Sequence, residues 1–160
     1  MNEFVYPEIK PGLYLVSLPV GCLSDISFRA LHMLSNSDYV AGEDTRSVRA
    51  LFKLLKISKS IKSIISYHDH SSAHTRGKII ELIKQGKSVA LVSDAGTPLI
   101  SDPGYKLVKT TIEEGFEVFS VPGPSSVIAA LTVSGLPTDT FSFLGFLPNT
   151  KSKKKKLLET

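Results

Sequence analysis

The feature that most constrains this chain is residues 89–104, VALVSDAGTPLISDPG, where an apolar run breaks abruptly into small and turn-forming residues. The run carries no charge before Asp94, which predicts a strand buried on both faces. Two glycines and two prolines within residues 96–104 then predict a bent loop whose backbone can approach another group closely. Open α/β sheets place ligands at such loops, beyond the carboxyl ends of their strands. The stretch therefore predicts an α/β fold with a binding site at this loop.

Hydrophobic periodicity along the rest of the chain supports that fold class. Five strand-like runs alternate with helical patterns, which predicts a mainly parallel five-stranded sheet with helices on both faces. The predicted strands are residues 13–18, 39–41, 61–66, 89–93 and 116–121. The first predicted helix is capped by Ser24 or Asp25, and the next three cover residues 45–55, 73–84 and 105–114. A helix over 125–133 and a strand over 141–146 follow. We expect one domain over residues 1–121 and the truncated start of a second α/β domain over 122–160.

Composition limits where the protein works. The single cysteine, Cys22, excludes an internal disulfide framework and fits a reducing compartment. No apolar run approaches the ~18 residues of a membrane span, and residues 1–11 lack the apolar segment of a signal peptide. We therefore expect a cytoplasmic protein with no membrane partner. The net charge of +4 comes from the lysines of residues 151–156, because positive and negative side chains balance over residues 1–150.

Several loop motifs occur in one order and together carry a family resemblance. They are LYLV at 13–16 with PVG at 19–21, AGEDTR at 41–46, SYHDH at 66–70, SDAGTPLISDPG at 93–104, VPGPSS at 121–126 and SGLPTD at 134–139. Over roughly residues 12–148 the chain resembles the tetrapyrrole methylase superfamily. Within it, the match is to the branch that methylates the ribose 2′-hydroxyl of a cytidine in 16S rRNA of the small ribosomal subunit. The resemblance implies two α/β domains with S-adenosylmethionine between them, 16S rRNA as partner, and a homodimer.

The resemblance also implies a set of cofactor-binding residues. They lie after predicted strands, where parallel-strand ends share one edge of the sheet: Val20, Asp94, Gly96, Thr97, Pro98, Ile100, Ser125 and Ser126. Two positions depart from the family pattern, since Thr97 stands where many relatives have Asp and Cys22 where this branch usually has Asn. Read from spacing alone, the same glycines and prolines are simply turns. Further ligands would come from the rest of the second domain, so we expect this chain to bind S-adenosylmethionine weakly and possess little activity by itself.

Methylation of a ribose hydroxyl requires positioning and a general base, because the hydroxyl is a weak nucleophile. The candidates are Glu43, Asp44 and His68, with Asp94 as a further carboxylate. Each has another interpretation: acidic residues are favoured at a helix N-terminus, and His68 fits an ordinary surface histidine. His68, His70 and His74 lack the spacing of a zinc site, so no metal is expected.

A basic pattern follows the AGEDTR motif. Arg46, Arg49, Lys53 and Lys56 recur at intervals of three and four, which places them on one face of the predicted helix 45–55. We expect this face to contact RNA phosphates; the other interpretations are a solvated face, or phosphate contacts by the lysines of 151–156. Two further functions remain open. One is a methylase of the same superfamily that acts on a corrin precursor or a protein side chain, and the other is an inactive module for binding or dimerisation.

Overall fold

The computed structural model describes residues 5–60, 63–68 and 73–158. The strands are β1 (Gly12–Val16), β2 (Tyr39–Gly42), β3 (Ile64–Ser66), β4 (Ser88–Val92) and β5 (Val118–Val121). The helices are α1 (Phe28–Asn36), α2 (Thr45–Leu54), α3 (Ala73–Lys84), α4 (Tyr105–Glu113), α5 (Ser126–Thr132) and α6 (Lys151–Leu158), and a 3-10 turn covers Leu23–Asp25. Strands and helices alternate through β5, as the hydrophobic periodicity predicted.

The five strands form one sheet in the order β3-β2-β4-β1-β5, and every neighbouring pair is parallel. Strand β4 lies at the centre, where Leu91 is in register with Ala41 of β2 on one side and Leu15 of β1 on the other. All five residues of β4 are buried, which is the reason that the run from Val89 to Val92 is continuously apolar rather than alternating. The predicted parallel α/β class is confirmed.

Helices cover both faces of the sheet because strand side chains alternate between them. On one face Ala90 and Val92 pack with α1 and α2, through residues that include Leu34 and Phe52. On the other face Val89 and Leu91 pack with α3 and α4. Each face therefore has its own apolar core, and the carboxyl ends of the strands lie between the two helix layers.

Three local predictions differ from the structure. The cap of α1 is Ser27, whose side chain accepts a hydrogen bond from the Ala30 amide; Ser24 and Asp25 instead belong to the 3-10 turn. Residues 141–146 do not form a strand, because a strand requires a hydrogen-bonded neighbour and residues 127–158 pair with none. The strand predicted over 61–66 is observed as Ile64–Ser66, and its first two residues lie outside the described part of the chain.

The chain separates into two compact units, residues 1–126 and 127–160. The first contains the whole sheet and α1–α4. The second contains most of α5 and all of α6. Among the described residues, no helix combines the length and apolar character that crossing a bilayer requires.

Candidate functional site

The carboxyl edge of the sheet is organised around a contact between the ends of β1 and β4. Leu18 and Gly96 form an antiparallel bridge, in which the Leu18 amide donates to the Gly96 carbonyl at 2.8 Å and the Gly96 amide donates back at 3.1 Å. Gly96 has φ +71°, and a Cβ there would lie 3.6 Å from Cγ2 of Val20. The bridge therefore brings the PVG and SDAGTP motifs together, as the shared-edge argument predicted.

On the β5 side of this bridge, three residues form a group that we call the hydroxyl tie: Ser17, Thr97 and Pro124. Thr97 Oγ1 lies 3.0 Å from Ser17 Oγ, and it donates to the Pro124 carbonyl oxygen at 3.3 Å. Ser17 is only 1% exposed. Thr97 is thus occupied in joining the loop after β4 to the end of β1 and to the segment after β5, so a polar ligand here would meet the neighbouring backbone rather than a free threonine hydroxyl.

The loop between β4 and α4 has an unusual backbone. Leu99 and Ser101 have positive φ angles of +73° and +59°, which are uncommon for residues with a Cβ. Gly104 has φ +136°, and a Cβ there would lie 2.9 Å from side-chain atoms of both Leu91 and Leu99. Pro98 is buried whereas Ile100 is 47% exposed. Such strain is typical of ligand-binding loops, where surrounding contacts hold the backbone in place.

The two serines of the VPGPSS motif complete this side of the edge. Ser125 is partly exposed and follows Pro124 of the hydroxyl tie, and Ser126 is exposed at the first position of α5. All the predicted cofactor residues thus lie in the first compact unit. Val20, Gly96, Thr97 and Ser125 are brought close to one another by the Leu18–Gly96 bridge and the hydroxyl tie.

On the other side of the bridge, towards α2, lies a cavity of about 220 Å³ that we call the leucine cavity. Its walls are mostly apolar, and the polar groups are on the side of α2 and at the end of β4. The lining residues are Leu18, Pro19, Gly21, Leu23, Ser47, Val48, Leu51, Leu54, Ser93 and Asp94. Asp94 is therefore separated from Thr97 by the bridge. The sequence motifs did not predict this cavity, although the Val48–Leu51 spacing identifies the apolar face of α2.

Glycine at the end of β2 sets the position of α2 against the cavity. A Cβ on Gly42 would lie 2.6 Å from Cγ2 of Val48 and 3.2 Å from Cγ2 of Val92. The absence of a side chain lets α2 approach the sheet, and this approach places Val48 and Leu51 in the cavity wall. Gly42 belongs to the AGEDTR motif, but only this close packing explains why a glycine stands there.

The predicted catalytic residues lie at the ends of β2 and β3. These neighbouring strands pair Gly42 with Ser66, and the Tyr67 amide donates to the Gly42 carbonyl at 2.8 Å. Glu43 and His68 therefore follow adjacent strand ends, with Glu43 exposed and His68 partly exposed. Asp69 and His70 of the same motif lie outside the described residues.

Asp44 has a structural role. Its carboxylate caps α2 by accepting from the Arg46 amide at 2.8 Å, and it also pairs with the Arg46 guanidinium, whose Nη2 lies 2.8 Å from Oδ2. The Arg46 hydrogen bonds hold the pKa of the Asp44 carboxyl below its usual value. The helix-terminus interpretation of Asp44 is thus correct, and a carboxylate held in this way is a weak proton acceptor.

The basic stripe predicted on α2 is shorter than expected. Arg46, Arg49 and Lys53 are exposed on the helix and form what we call the basic face. Lys56 does not belong to it, because α2 ends at Leu54 and Lys56 has φ +55° after the C-cap residue. The spacing of charges continues past the point where the backbone leaves the helix. In the part of the chain that the structure describes, no three histidine, cysteine or acidic residues are grouped so that they could hold a metal ion.

The chain is similar to bacterial proteins with a common name. It is 50% identical over 149 residues to the "Ribosomal RNA small subunit methyltransferase I" of Rickettsia prowazekii (strain Madrid E), which covers 93% of this chain and 52% of that protein. It is 48% identical over 147 residues to the protein of the same name from Mesorhizobium japonicum, covering 92% and 49%. The chain therefore spans about half the length of these curated relatives.

Solved structures support the fold. The crystal structure of uroporphyrin-III-C-methyltransferase from Thermus thermophilus matches with a TM-score of 0.57 and 23% identity, over 79% of this chain and 53% of that one. Diphthine synthase matches with a TM-score of 0.56 and 19% identity, over 75% and 48%. At these identities the likeness shows the fold alone. The family model for tetrapyrrole (corrin/porphyrin) methylases matches residues 12–160, which confirms the resemblance carried by the loop motifs. The chain belongs to the tetrapyrrole methylase family.

Proposed function

We propose that this chain provides part of an S-adenosylmethionine-dependent methyltransferase that acts on the 2′-hydroxyl of a cytidine in 16S rRNA of the small ribosomal subunit. The observation that carries the proposal is the 43–50% identity to curated relatives named for small-subunit rRNA methylation. The loop motifs that suggested this branch also meet at one edge of the sheet. We further propose that residues 1–121 form its N-terminal domain and that residues 122–160 begin a second α/β domain.

The residues on the β5 side of the edge fit S-adenosylmethionine. This cofactor needs exposed backbone groups, apolar contacts for adenine and a few hydroxyls. The edge offers the backbone of the loop after β4 and an exposed apolar side chain at Ile100. Ser125 and Ser126 supply hydroxyls beside the hydroxyl tie. We propose that Val20, Gly96, Thr97 and Pro98 contribute mainly through backbone and shape.

The chemistry requires the chain to position a ribose hydroxyl and remove its proton. When bound, S-adenosylmethionine supplies a methyl group activated on a sulfonium. Orientation of the hydroxyl by the strand-end loops contributes through proximity, because a bound nucleophile reacts without an unfavourable encounter. We propose Glu43 or His68 as the base that accepts the hydroxyl proton, since both follow adjacent strand ends and Asp44 is held by Arg46.

RNA binding is proposed for two basic regions. The basic face of Arg46, Arg49 and Lys53 begins next to the strand ends that carry the candidate base. In the second unit, α6 has five lysines, all exposed, within eight residues. Positive side chains bind RNA through its phosphates and release counterions, so the affinity falls as the salt concentration rises. These regions would hold the RNA backbone without reading its sequence.

We also propose a cytoplasmic homodimer. The second unit exposes large apolar side chains that an interface would cover. Each is between 46% and 86% exposed: Val133, Leu136, Phe141, Phe143, Leu144, Phe146 and Leu147. Sedimentation equilibrium tests this point. A single species at the monomer mass across a wide concentration range would contradict the dimer.

The proposed activity is tested by methyl transfer from labelled cofactor. The chain is incubated with methyl-labelled S-adenosylmethionine and small ribosomal subunits from cells that lack this modification, and the RNA is digested to nucleosides. Label recovered as 2′-O-methylcytidine would support the proposal. Label on a base would contradict the proposal, and transfer to a corrin precursor but not to RNA in a parallel reaction would favour the alternative substrate class.

A further inference from the structure

The leucine cavity has the shape and chemistry of a site separate from the proposed cofactor contacts. The Leu18–Gly96 bridge divides it from the hydroxyl tie, so the two regions lie on opposite sides of one pair of backbone hydrogen bonds. Its walls are formed by apolar side chains of the segment that follows β1 and of α2. Two of these side chains are open to solvent, since Leu23 is 37% and Leu54 is 66% exposed. Exposed apolar side chains around a concave surface are typical of a ligand site.

Asp94 is the charged group of this cavity. Ser93, which precedes it, donates its hydroxyl to the Ala95 carbonyl at 3.0 Å. The Asp94 carboxylate, in contrast, is exposed and forms no hydrogen bond or ion pair within residues 5–60, 63–68 and 73–158. A carboxylate accepts hydrogen bonds only. The cavity is thus suited to a ligand with apolar faces and an N–H donor on one edge.

Helix α2 connects this cavity to the proposed RNA surface. With 3.6 residues per turn, Ser47, Val48 and Leu51 form one side of the helix, and the basic face lies on the opposite side. Arg46 and Ser47 both lie in the first turn of α2, next to the strand ends, so an RNA strand whose phosphate contacts Arg46 reaches the same edge of the sheet as the cavity mouth. Gly21 lines that mouth with φ +80° and no neighbour within 4 Å of its Cβ position, which leaves room for a ribose.

We propose that the leucine cavity receives the cytosine base of the acceptor cytidine, rotated out of the RNA, and that Asp94 accepts a hydrogen bond from its exocyclic N4 amine. This inference rests on the proposed function and gives Asp94 a substrate-reading role instead of a cofactor contact. Enzymes that do chemistry on a base hold the extruded base between aromatic or apolar side chains and read its pairing edge, and the inference extends this arrangement to a nucleotide whose ribose reacts. Asp and Glu accept from cytosine N4, whereas uracil presents an acceptor at that position and would be repelled.

The test measures binding of three labelled RNA octamers to the 160-residue chain by fluorescence anisotropy. The octamers contain cytidine, uridine, or a pyrimidin-2-one ribonucleoside that lacks the exocyclic amine. We expect cytidine to bind about tenfold more tightly than either of the others. In Asp94→Asn the preference should fall to within about twofold or invert, because an amide can donate to uracil O4. Asp25→Asn removes an exposed carboxylate of the 3-10 turn and should retain the preference, as a matched control.

The outcomes separate the inference from the proposed function. Equal binding of all three octamers with a strong salt dependence would overturn the base-reading role and leave RNA as the substrate. No binding of any octamer would contradict both. Loss of the cytidine preference on addition of S-adenosylmethionine would place the cofactor's adenine in this cavity and overturn the inference. The pyrimidin-2-one result on the unmodified chain does not depend on whether Asp94→Asn folds.

Discussion

The hydroxyl tie and the leucine cavity lie on either side of the same bridge, yet their side chains are used differently. In the hydroxyl tie, Thr97 and Ser17 satisfy each other, and Ser17 is almost completely buried. In the leucine cavity, Asp94 has no partner among the described residues and Leu54 is 66% exposed. The first arrangement fixes backbone segments relative to one another. The second leaves groups available for a ligand.

This difference shows that matched loop motifs at one sheet edge need not share one role. A polar side chain that is hydrogen-bonded inside the fold contributes chiefly to stability, because removing it leaves a buried partner unsatisfied. A polar side chain without a partner costs little to replace in the free protein and matters when a ligand arrives. We therefore expect substitutions on the two sides to separate into stability effects and binding effects.

The largest expected effect is on stability, from Gly104→Ala in the loop that carries the hydroxyl tie. The added methyl would lie 2.9 Å from Leu91 and Leu99 side-chain atoms, in a backbone conformation that side chains rarely adopt. We expect the free energy of unfolding to fall by about 3 kcal/mol, measured by urea denaturation. Gly77→Ala in α3, where a Cβ meets nothing within 4 Å, should instead stabilise by about 0.5–1 kcal/mol. Equal effects of the two substitutions would show that the loop is not held in this conformation.

Thr97→Val breaks the hydroxyl tie with little change of shape. It leaves the buried Ser17 hydroxyl without its hydrogen-bond partner, so we expect the free energy of unfolding to fall by about 1–2 kcal/mol. The cytidine preference in octamer binding should not change. Thr110→Val serves as control, because its hydroxyl only donates to the Lys106 carbonyl on an exposed part of α4, and its effect should stay within about 0.5 kcal/mol. If Thr97→Val loses the preference for cytidine but keeps full stability, the hydroxyl tie acts in binding and not in stability, contrary to our assignment.

The double substitution Arg49→Gln and Lys53→Gln tests the basic face of α2. Both side chains are exposed, so we expect unchanged stability but about tenfold weaker RNA binding at low salt. The slope of log affinity against log salt should become shallower by about one unit for each phosphate that the variant no longer neutralises. Cofactor affinity, measured by calorimetry, should be unaffected. Lys106→Gln with Lys109→Gln on α4 removes the same charge elsewhere, and an equal change in its salt slope would show that the basic face is an ordinary solvated surface.

The smallest expected effect concerns Asp44 and pH. Because the folded-state pKa of Asp44 is depressed, its charged form adds stability above the unfolded pKa, and this contribution is lost as pH falls through the folded value. Asp44→Asn retains a capping side chain but loses the charge. At pH 7 we expect the Asp44→Asn variant to have a slightly lower melting temperature than the unmodified chain. Well below a pH of about 4, the two melting temperatures should become equal. A difference that persists at low pH would mean that the Arg46 pairing does not contribute.

Much of the fold could be predicted from the sequence because the relevant signals are local. The continuous apolar run of β4 and the helical spacing of α3 each identify an element from its own residues, and Ala73–Lys84 agrees with the predicted bounds. The predicted cap of α1 was wrong. Ser24, Asp25 and Ser27 are all residue types that suit an N-cap, and only the backbone geometry selects Ser27. Residues 141–146 had strand composition, but composition supplies no hydrogen-bonded neighbour.

The sequence by itself determined that this chain forms a parallel α/β sheet, that its motifs follow the strands, and that α2 has an apolar and a basic face. The order β3-β2-β4-β1-β5 was decided only by the tertiary structure. That order brings Ser17 and Thr97, 80 residues apart, within hydrogen-bond distance, and places the end of β4 between β1 and α2. The physical reason is that hydrophobic periodicity specifies which face of an element is buried, whereas which elements become neighbours depends on packing among all of them.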